Sequence, residues 1–222
     1  MSGISSISVV VPAYNAERYL AEAVDSVLNQ AVPPGEVIVV DDGSTDATGD
    51  IARSFGPPVR VMTRPNGGIG AARNSALSEV TGDLLAFLDA DDVWPIDRTG
   101  LLVERLESDG SLDGVFGAVV EFGEGIEDKP AVPAPLASSM LIRRASFERV
   151  GPFREDIRVG EFIDWYARAD ERGLRFAQIG AVVLRRRLHE TNTGRLQRDA
   201  RPDYVRVLRA ALQRRRQAQS DG

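Results

Sequence analysis

Leu84 to Trp94 reads LLAFLDADDVW: five apolar residues, Leu84 to Leu88, run straight into Asp89, Ala90, Asp91 and Asp92. So short an apolar run reads as a strand buried on both faces, the kind found in parallel sheets. Its acidic end is not built for stability, because clustered like charges repel and burial raises their cost. Something cationic should offset them. Asp89 and Asp91 stand one residue apart, so an extended or turning backbone can aim both at one hard cation. The plainer reading is an acidic turn that caps the next helix, with Asp92 as its N-cap. A lone Asp-x-Asp favours the cap; the surrounding chain favours the cation.

Outward from this stretch the same form repeats. Ile7 to Val11 (ISVVV) is a strand broken by Pro12-Ala13-Tyr14-Asn15, and Ala16 to Leu28 follows with helical period. Glu36 to Val40 (EVIVV) ends in Asp41-Asp42-Gly43-Ser44-Thr45-Asp46, and a helix over Asp46 to Phe55 takes Ser44 or Thr45 as its cap. Val59 to Met62 is a short strand, Asn66 to Gly70 a loop and Ala71 to Val80 a third helix. Alternating strands and helices predict an α/β fold, a doubly wound, mostly parallel sheet flanked by helices. In such sheets ligands bind at the carboxyl ends of the strands. Every unusual polar cluster falls there, so the chain predicts one site.

Past Trp94 the pattern loosens. Helices are expected over Ile96 to Leu106, Arg144 to Val150, Val159 to Arg172 and Pro202 to Arg216. Strands are expected over Val115 to Val120 and Ser138 to Ile142, with one or two more in Phe176 to Leu184. Gly123 to Ala137, rich in Gly, Pro and acids, reads as a loop.

Several residues carry two readings. Asp41-Asp42 is either an acidic loop that starts a helix or a carboxylate that accepts a hydrogen bond from a base imide. Pro12 to Asn15 is a strand exit or one wall of a nucleotide pocket. His189, the one histidine, follows VVLRRRL and is either structural or a third metal ligand. Glu161 and Asp164 share a helix face, either solvated and paired with Arg168 or offering a general base. Thr63 to Gly70 (TRPNGGIG) faintly resembles a dehydrogenase cofactor loop. It follows the third strand rather than the first, and Lys129, the only lysine, has Gly125 rather than tyrosine four residues before it.

The 222 residues suffice for one sizeable core, with 43% hydrophobic and 27% charged residues and a net charge of −6. The absence of cysteine excludes disulfides and thiolate chemistry. No apolar run approaches the ~20 residues of a membrane span, and the first residues do not resemble a signal peptide. The expected location is cytoplasmic. From Arg185 to Arg216 eleven arginines stand against three acids, Glu190, Asp199 and Asp203. No aromatic platform is interleaved and the net charge is negative, so nucleic acid is not the expected partner. A solvated face is the first reading of this strip. A peripheral helix beside anionic lipid, at the inner face of the membrane, is the second.

Taken together, VVVPAYNAERYL, VIVVDDGSTDAT, NGGIGAARN and GDLLAFLDADD, in that order, resemble family 2 glycosyltransferases of the GT-A fold. A fainter likeness runs through GPFREDIRVGEFIDWYARA and LRRRLHETNTG. The resemblance implies a GT-A domain over residues 1–198, its nucleotide-sugar half at about 1–95 and its acceptor half at about 96–198, with an arginine-rich tail over 199–222. It implies an inverting, metal-assisted transferase using a nucleoside-diphosphate sugar, UDP favoured, with Mn2+ or Mg2+. Carried over by position, Pro12, Ala13, Tyr14, Asn15 and Asp42 would line the nucleoside, and Gly70 and Arg73 would lie near the nucleotide. Asp89, Ala90 and Asp91 would flank the metal-bound diphosphate, with His189 approaching from the far side. Many members carry Glu-Asp on the acceptor helix; here the pair is Glu161-Phe162. Glu161 is therefore the first choice of base and Asp164 the second. A non-catalytic nucleotide-sugar binder, regulatory or scaffolding, is the alternative. The acceptor class (saccharide, lipid-linked sugar or peptide) and the oligomeric state stay open.

Overall fold

The computed structural model describes residues 6–125, 129–190 and 201–220. Strands β1 (Ile7–Ala13), β2 (Glu36–Asp41), β3 (Val59–Thr63) and β4 (Leu84–Phe87) lie parallel in the order β3-β2-β1-β4. Helices α1 (Leu20–Leu28), α2 (Thr48–Ser54) and α3 (Ile69–Leu77) connect them. Alternate residues enter different layers. Val9, Val11, Val37 and Val39 pack with Leu20, Val24 and Val27 of α1, whereas Val10, Ile38 and Val40 pack with Ala72 and Ala76 of α3. Burial on both faces is why these strands read as unbroken apolar runs.

Beyond β4 the sheet turns partly antiparallel. α4 (Arg98–Glu107) leads to β5 (Gly114–Phe122) and the two-residue β6 (Val132–Pro133). β7 (Met140–Arg143) is inserted antiparallel between β4 and β5. α5 (Arg144–Val150) and α6 (Glu161–Glu171) precede β8 (Phe176–Arg187), which pairs parallel with β5. α7 (Arg201–Ser220) follows. A block of rings fills the layer under α5 and α6. Trp165 is wholly buried there, stacked on Phe147 at 4.8 Å and on Phe162 at 5.9 Å between centroids.

Four sequence expectations need correction. α1 begins at Leu20 rather than Ala16, because the amides of Asn15, Ala16 and Glu17 bond to the side chains of Ser44, of Thr48 at the start of α2, and of Asp46. Neither Ser44 nor Thr45 caps α2; Asp46 Oδ1 instead accepts from Thr48 N at 3.0 Å. Asp92 is not a cap either, since α4 starts only at Arg98. β8 is one strand and runs on to Arg187, with Arg185 exchanging backbone hydrogen bonds with Val93. Residues 191–200, which hold the end of the LRRRLHETNTG segment and the first two residues of the expected tail, and 221–222 at its end lie outside the described residues.

Trp94 and Arg98 were not marked by the sequence. Arg98 is fully buried, its guanidinium 3.5 Å from the Trp94 ring centroid and donating to the Met140 carbonyl at 2.8 Å. Burial pushes its pKa well below the usual arginine range. The pair fastens the turn that leads into β7 to the segment just after the acidic cluster.

Candidate active site

Parallel register places the strand ends side by side: Ala13 pairs with Asp41, Asp41 with Thr63, and Val10 with Phe87. The loops that follow must therefore meet. Asn15, whose φ is +47°, accepts at Oδ1 from Thr45 N at 2.8 Å and donates its own amide to Ser44 Oγ at 3.0 Å. Pro12 and Ala13 are buried beneath this seam, while Tyr14 projects outward, 53% exposed. The loops after β1 and β2 thus make one wall.

Asp42 is 3% exposed and already engaged. It accepts from the amides of Gly67 and Gly68, at 3.1 and 2.8 Å, and faces Arg64 Nε at 3.1 Å. Its carboxylate orders the glycine loop that opens α3. Gly70 has a packing reason to be glycine: a Cβ there would meet the Arg154 carbonyl oxygen at 2.4 Å. The first turn of α3 can touch the segment before α6 only because residue 70 has no side chain.

At the end of β4 the carboxylates are held from two directions. Arg73, on α3 and 2% exposed, donates through Nη2 to Asp89 at 2.7 Å and through Nη1 to Glu161 at 2.6 Å. Burial would lower its pKa, but the two carboxylates outweigh that and raise it. Asp91 Oδ2 lies 2.9 Å from His189 Nε2. Burial and the neighbouring Asp89 push Asp91 above the usual carboxylate range, against the opposing His189 contact. Asp92 is pushed further, by burial and by both aspartates, although it accepts from Arg187 N at 2.8 Å. Ala90, between them, is buried.

The two carboxylates of α6 separate. Glu161 faces Arg73, whereas Asp164 is wholly buried and held by Arg168 at 2.8 Å and Arg214 at 3.4 Å. Phe162, at the position where the family resemblance expects aspartate, is 7% exposed and packs its ring near Phe116, Trp165 and Tyr166. As for a metal, two carboxylates and an imidazole suit a divalent cation chemically. Among the described residues, however, no three His, Cys, Asp or Glu side chains are grouped to hold an ion. Asp91 and His189 are in contact; Asp89 is turned to Arg73.

Arg64, Arg187 and Tyr19 join the site without having been marked in the sequence. Arg64 follows Thr63, the register partner of Asp41, so strand pairing alone sets it beside Asp42. Arg187 precedes His189 by two residues, the period of a strand face. It donates from Nε to the Asp91 carbonyl at 2.9 Å and lies 4.9 Å from the Tyr19 ring centroid. Tyr19 also flanks His189, with 4.8 Å between ring centroids. Among the described residues no helix is long and apolar enough to cross a membrane.

A chondroitin synthase of Pasteurella multocida (strain Pm70) is 29% identical over 230 residues, covering 96% of this chain but 24% of that protein. The putative teichuronic acid biosynthesis glycosyltransferase TuaG of Bacillus subtilis (strain 168) is 43% identical over 96 residues, 41% of this chain and 38% of its own. The chain thus spans about a quarter to two fifths of the length of these relatives. Among solved structures, S. aureus TarS 1–349 in complex with UDP-GlcNAc superposes with a TM-score of 0.79 at 23% identity, covering 93% of this chain and 65% of that one. That likeness shows the GT-A fold. The model of the family described as Glycosyl transferase family 2 matches residues 8–177, which take in both stitched loops, the acidic end of β4 and the helix bearing Glu161: the chain belongs to glycosyl transferase family 2.

Proposed function

We propose that the chain transfers a sugar from a nucleoside-diphosphate sugar, UDP favoured, to an acceptor hydroxyl, inverting the anomeric centre. The observation that carries this reading is the bridge Asp89–Arg73–Glu161, which ties the acidic end of β4 to the first residue of α6. Donor-side and acceptor-side carboxylates thereby share one buried cation. Pro12 to Asn15 and the Asp42-ordered glycine loop wall the nucleoside. UDP-GlcNAc bound to TarS and the named synthases of polysaccharides support a UDP-sugar donor by analogy.

Asp91 and His189 would hold a divalent cation, Mn2+ or Mg2+, and such an ion would supply neutralisation of the charge on the leaving diphosphate. Asp89 would lie beside the diphosphate or its sugar. Glu161 would take the acceptor proton: it sits in the first helical turn, where the dipole favours a carboxylate, and Arg73 faces it. Asp164, both of its oxygens occupied, serves structure in this reading.

One observation favours a second reading. Phe162 is sealed in the ring cluster and Glu161 is ion-paired, which suits a chain that binds nucleotide sugar without turning it over. Calorimetry with UDP, with and without Mn2+, followed by UDP release from a panel of UDP-sugars with saccharide acceptors, separates the two. Metal-dependent UDP binding that Asp91→Asn abolishes, with turnover that Glu161→Gln lowers about 10²–10⁴-fold, supports the transferase. Binding without turnover supports the silent binder. No UDP binding under either condition sinks both.

A further inference from the structure

The sequence sets α7 apart as a tail, but α7 lies across α6. Three sets of contacts fasten it. Asp203 Oδ2 accepts from Arg158 N at 2.9 Å, and Arg206 donates to the Asp156 carbonyl at 3.1 Å and to its carboxylate at 2.9 Å. Tyr204 and Val207 cover Gly160, with atoms 3.5 and 3.6 Å from where its Cβ would stand, and Val207 is 2% exposed. Arg214 reaches Glu171 at 2.6 Å and the buried Asp164 at 3.4 Å. The helix therefore grips the segment before α6, its first turn and its last residue.

Gly160 explains why such a grip matters. It is the N-cap of α6, in the left-handed region at φ +84°, and no side chain caps the helix there. Glycine at that point leaves the entry angle of α6 weakly specified by local chemistry. Glu161 is the next residue. Exposed ion pairs hold little individually, so the grip depends on the buried members, Val207 and Asp164.

We propose that α7 is a positioning element of the transfer reaction: it fixes the Gly160 hinge and the first turn of α6, and through them the place of Glu161. This rests on the reading of Glu161 as the acceptor base. Among the described residues the contacts named for α7 fall on α6 and the segment before it, so its loosening should spare nucleotide binding.

The test uses the full chain carrying Arg214→Gln, Arg214→Lys, or Val207→Ala with Arg206→Gln. Three quantities are read: UDP affinity by calorimetry, amide hydrogen exchange at Asp164 and Trp165, and UDP release from UDP-GlcNAc. We expect Arg214→Gln and the double variant to exchange faster at those amides and to release UDP up to about 10²-fold more slowly, the loss that a displacement of roughly 1 Å can cause. UDP affinity should stay near wild type, and Arg214→Lys should recover most of the release rate. Unchanged exchange and release overturn the proposal, as does a fall in UDP affinity that matches the fall in release. A wild-type chain that binds no UDP refutes the donor site instead. Exchange at Asp164 and Trp165 then decides on its own whether α7 holds α6.

Discussion

With both terminal nitrogens of its guanidinium committed to carboxylates from different elements, Arg73 couples Asp89 to Glu161 through a buried charge. Removing one partner of a buried pair leaves the other without compensation, at a cost of about 3–5 kcal/mol. Arg73→Gln should therefore unfold at markedly lower denaturant, because it strands Glu161, which is 8% exposed. Glu161→Gln should cost less, since Arg73 keeps Asp89. Equilibrium denaturation of the two variants beside wild type checks the order, and equal losses would contradict it. The carboxylates at the end of β4 were legible because a run of like charges after an apolar strand has no stabilising purpose of its own. Their countercharge was not legible. The family resemblance places Arg73 near the nucleotide, but it lies 88 residues from Glu161 in sequence, and in a chain where arginine is the default cation nothing local marks it as the partner of these carboxylates.

At the scale of elements, the amino-terminal ends of the parallel strands have their own fastening. Glu36, at the start of β2, accepts from Ser8 Oγ of β1 at 2.6 Å, from Thr81 N and Oγ1 at 2.7 Å, and faces Arg60 of β3 at 3.1 Å. Burial pushes its pKa up, but the hydrogen bonds from Ser8 and Thr81 and the charge of Arg60 outweigh it and hold it below the ordinary carboxylate range. A lowered folded-state pKa means stability that is present above the unfolded pKa and lost as pH falls through the folded one. The gap in stability between wild type and Glu36→Gln should accordingly be widest near neutrality. It should narrow below the ordinary glutamate range, as followed by thermal melts across pH. A gap independent of pH would show that shape, not charge, does the fastening. The elements themselves were largely readable from burial on both faces and helical period. What escaped was set by partners distant in sequence: β7 inserted antiparallel, the late start of α1, and β8 extended because Val93 offers it a partner.

Across the whole molecule, the putting together of the site draws on nearly the entire described chain. The loops after β1, β2 and β3 supply the wall, the end of β4 the acids, α6 Glu161, the end of β8 Arg187, and the segment just after it His189. A ligand bound there should stabilise all of it at once. UDP at a hundred times its dissociation constant adds about 2.7 kcal/mol. For a chain of this size that corresponds to a rise in Tm of roughly 5–10 °C. Differential scanning fluorimetry with UDP, with and without Mn2+, measures it. A rise confined to a partial transition would show that the two ends of the chain do not close on one ligand. The seam between Val93 and Arg185 also has a consequence in time. A ribosome that has exposed the chain only as far as about residue 100 has made the loop wall and the acidic cluster but not the strand that closes on them. At about 5–20 residues per second, several seconds pass before His189 emerges. Through that interval the nascent chain carries Asp91 and Asp92 ahead of His189 and Arg187, which engage them from the far end of the sequence, and a ligand that needs both sides of the site must wait until translation has passed β8.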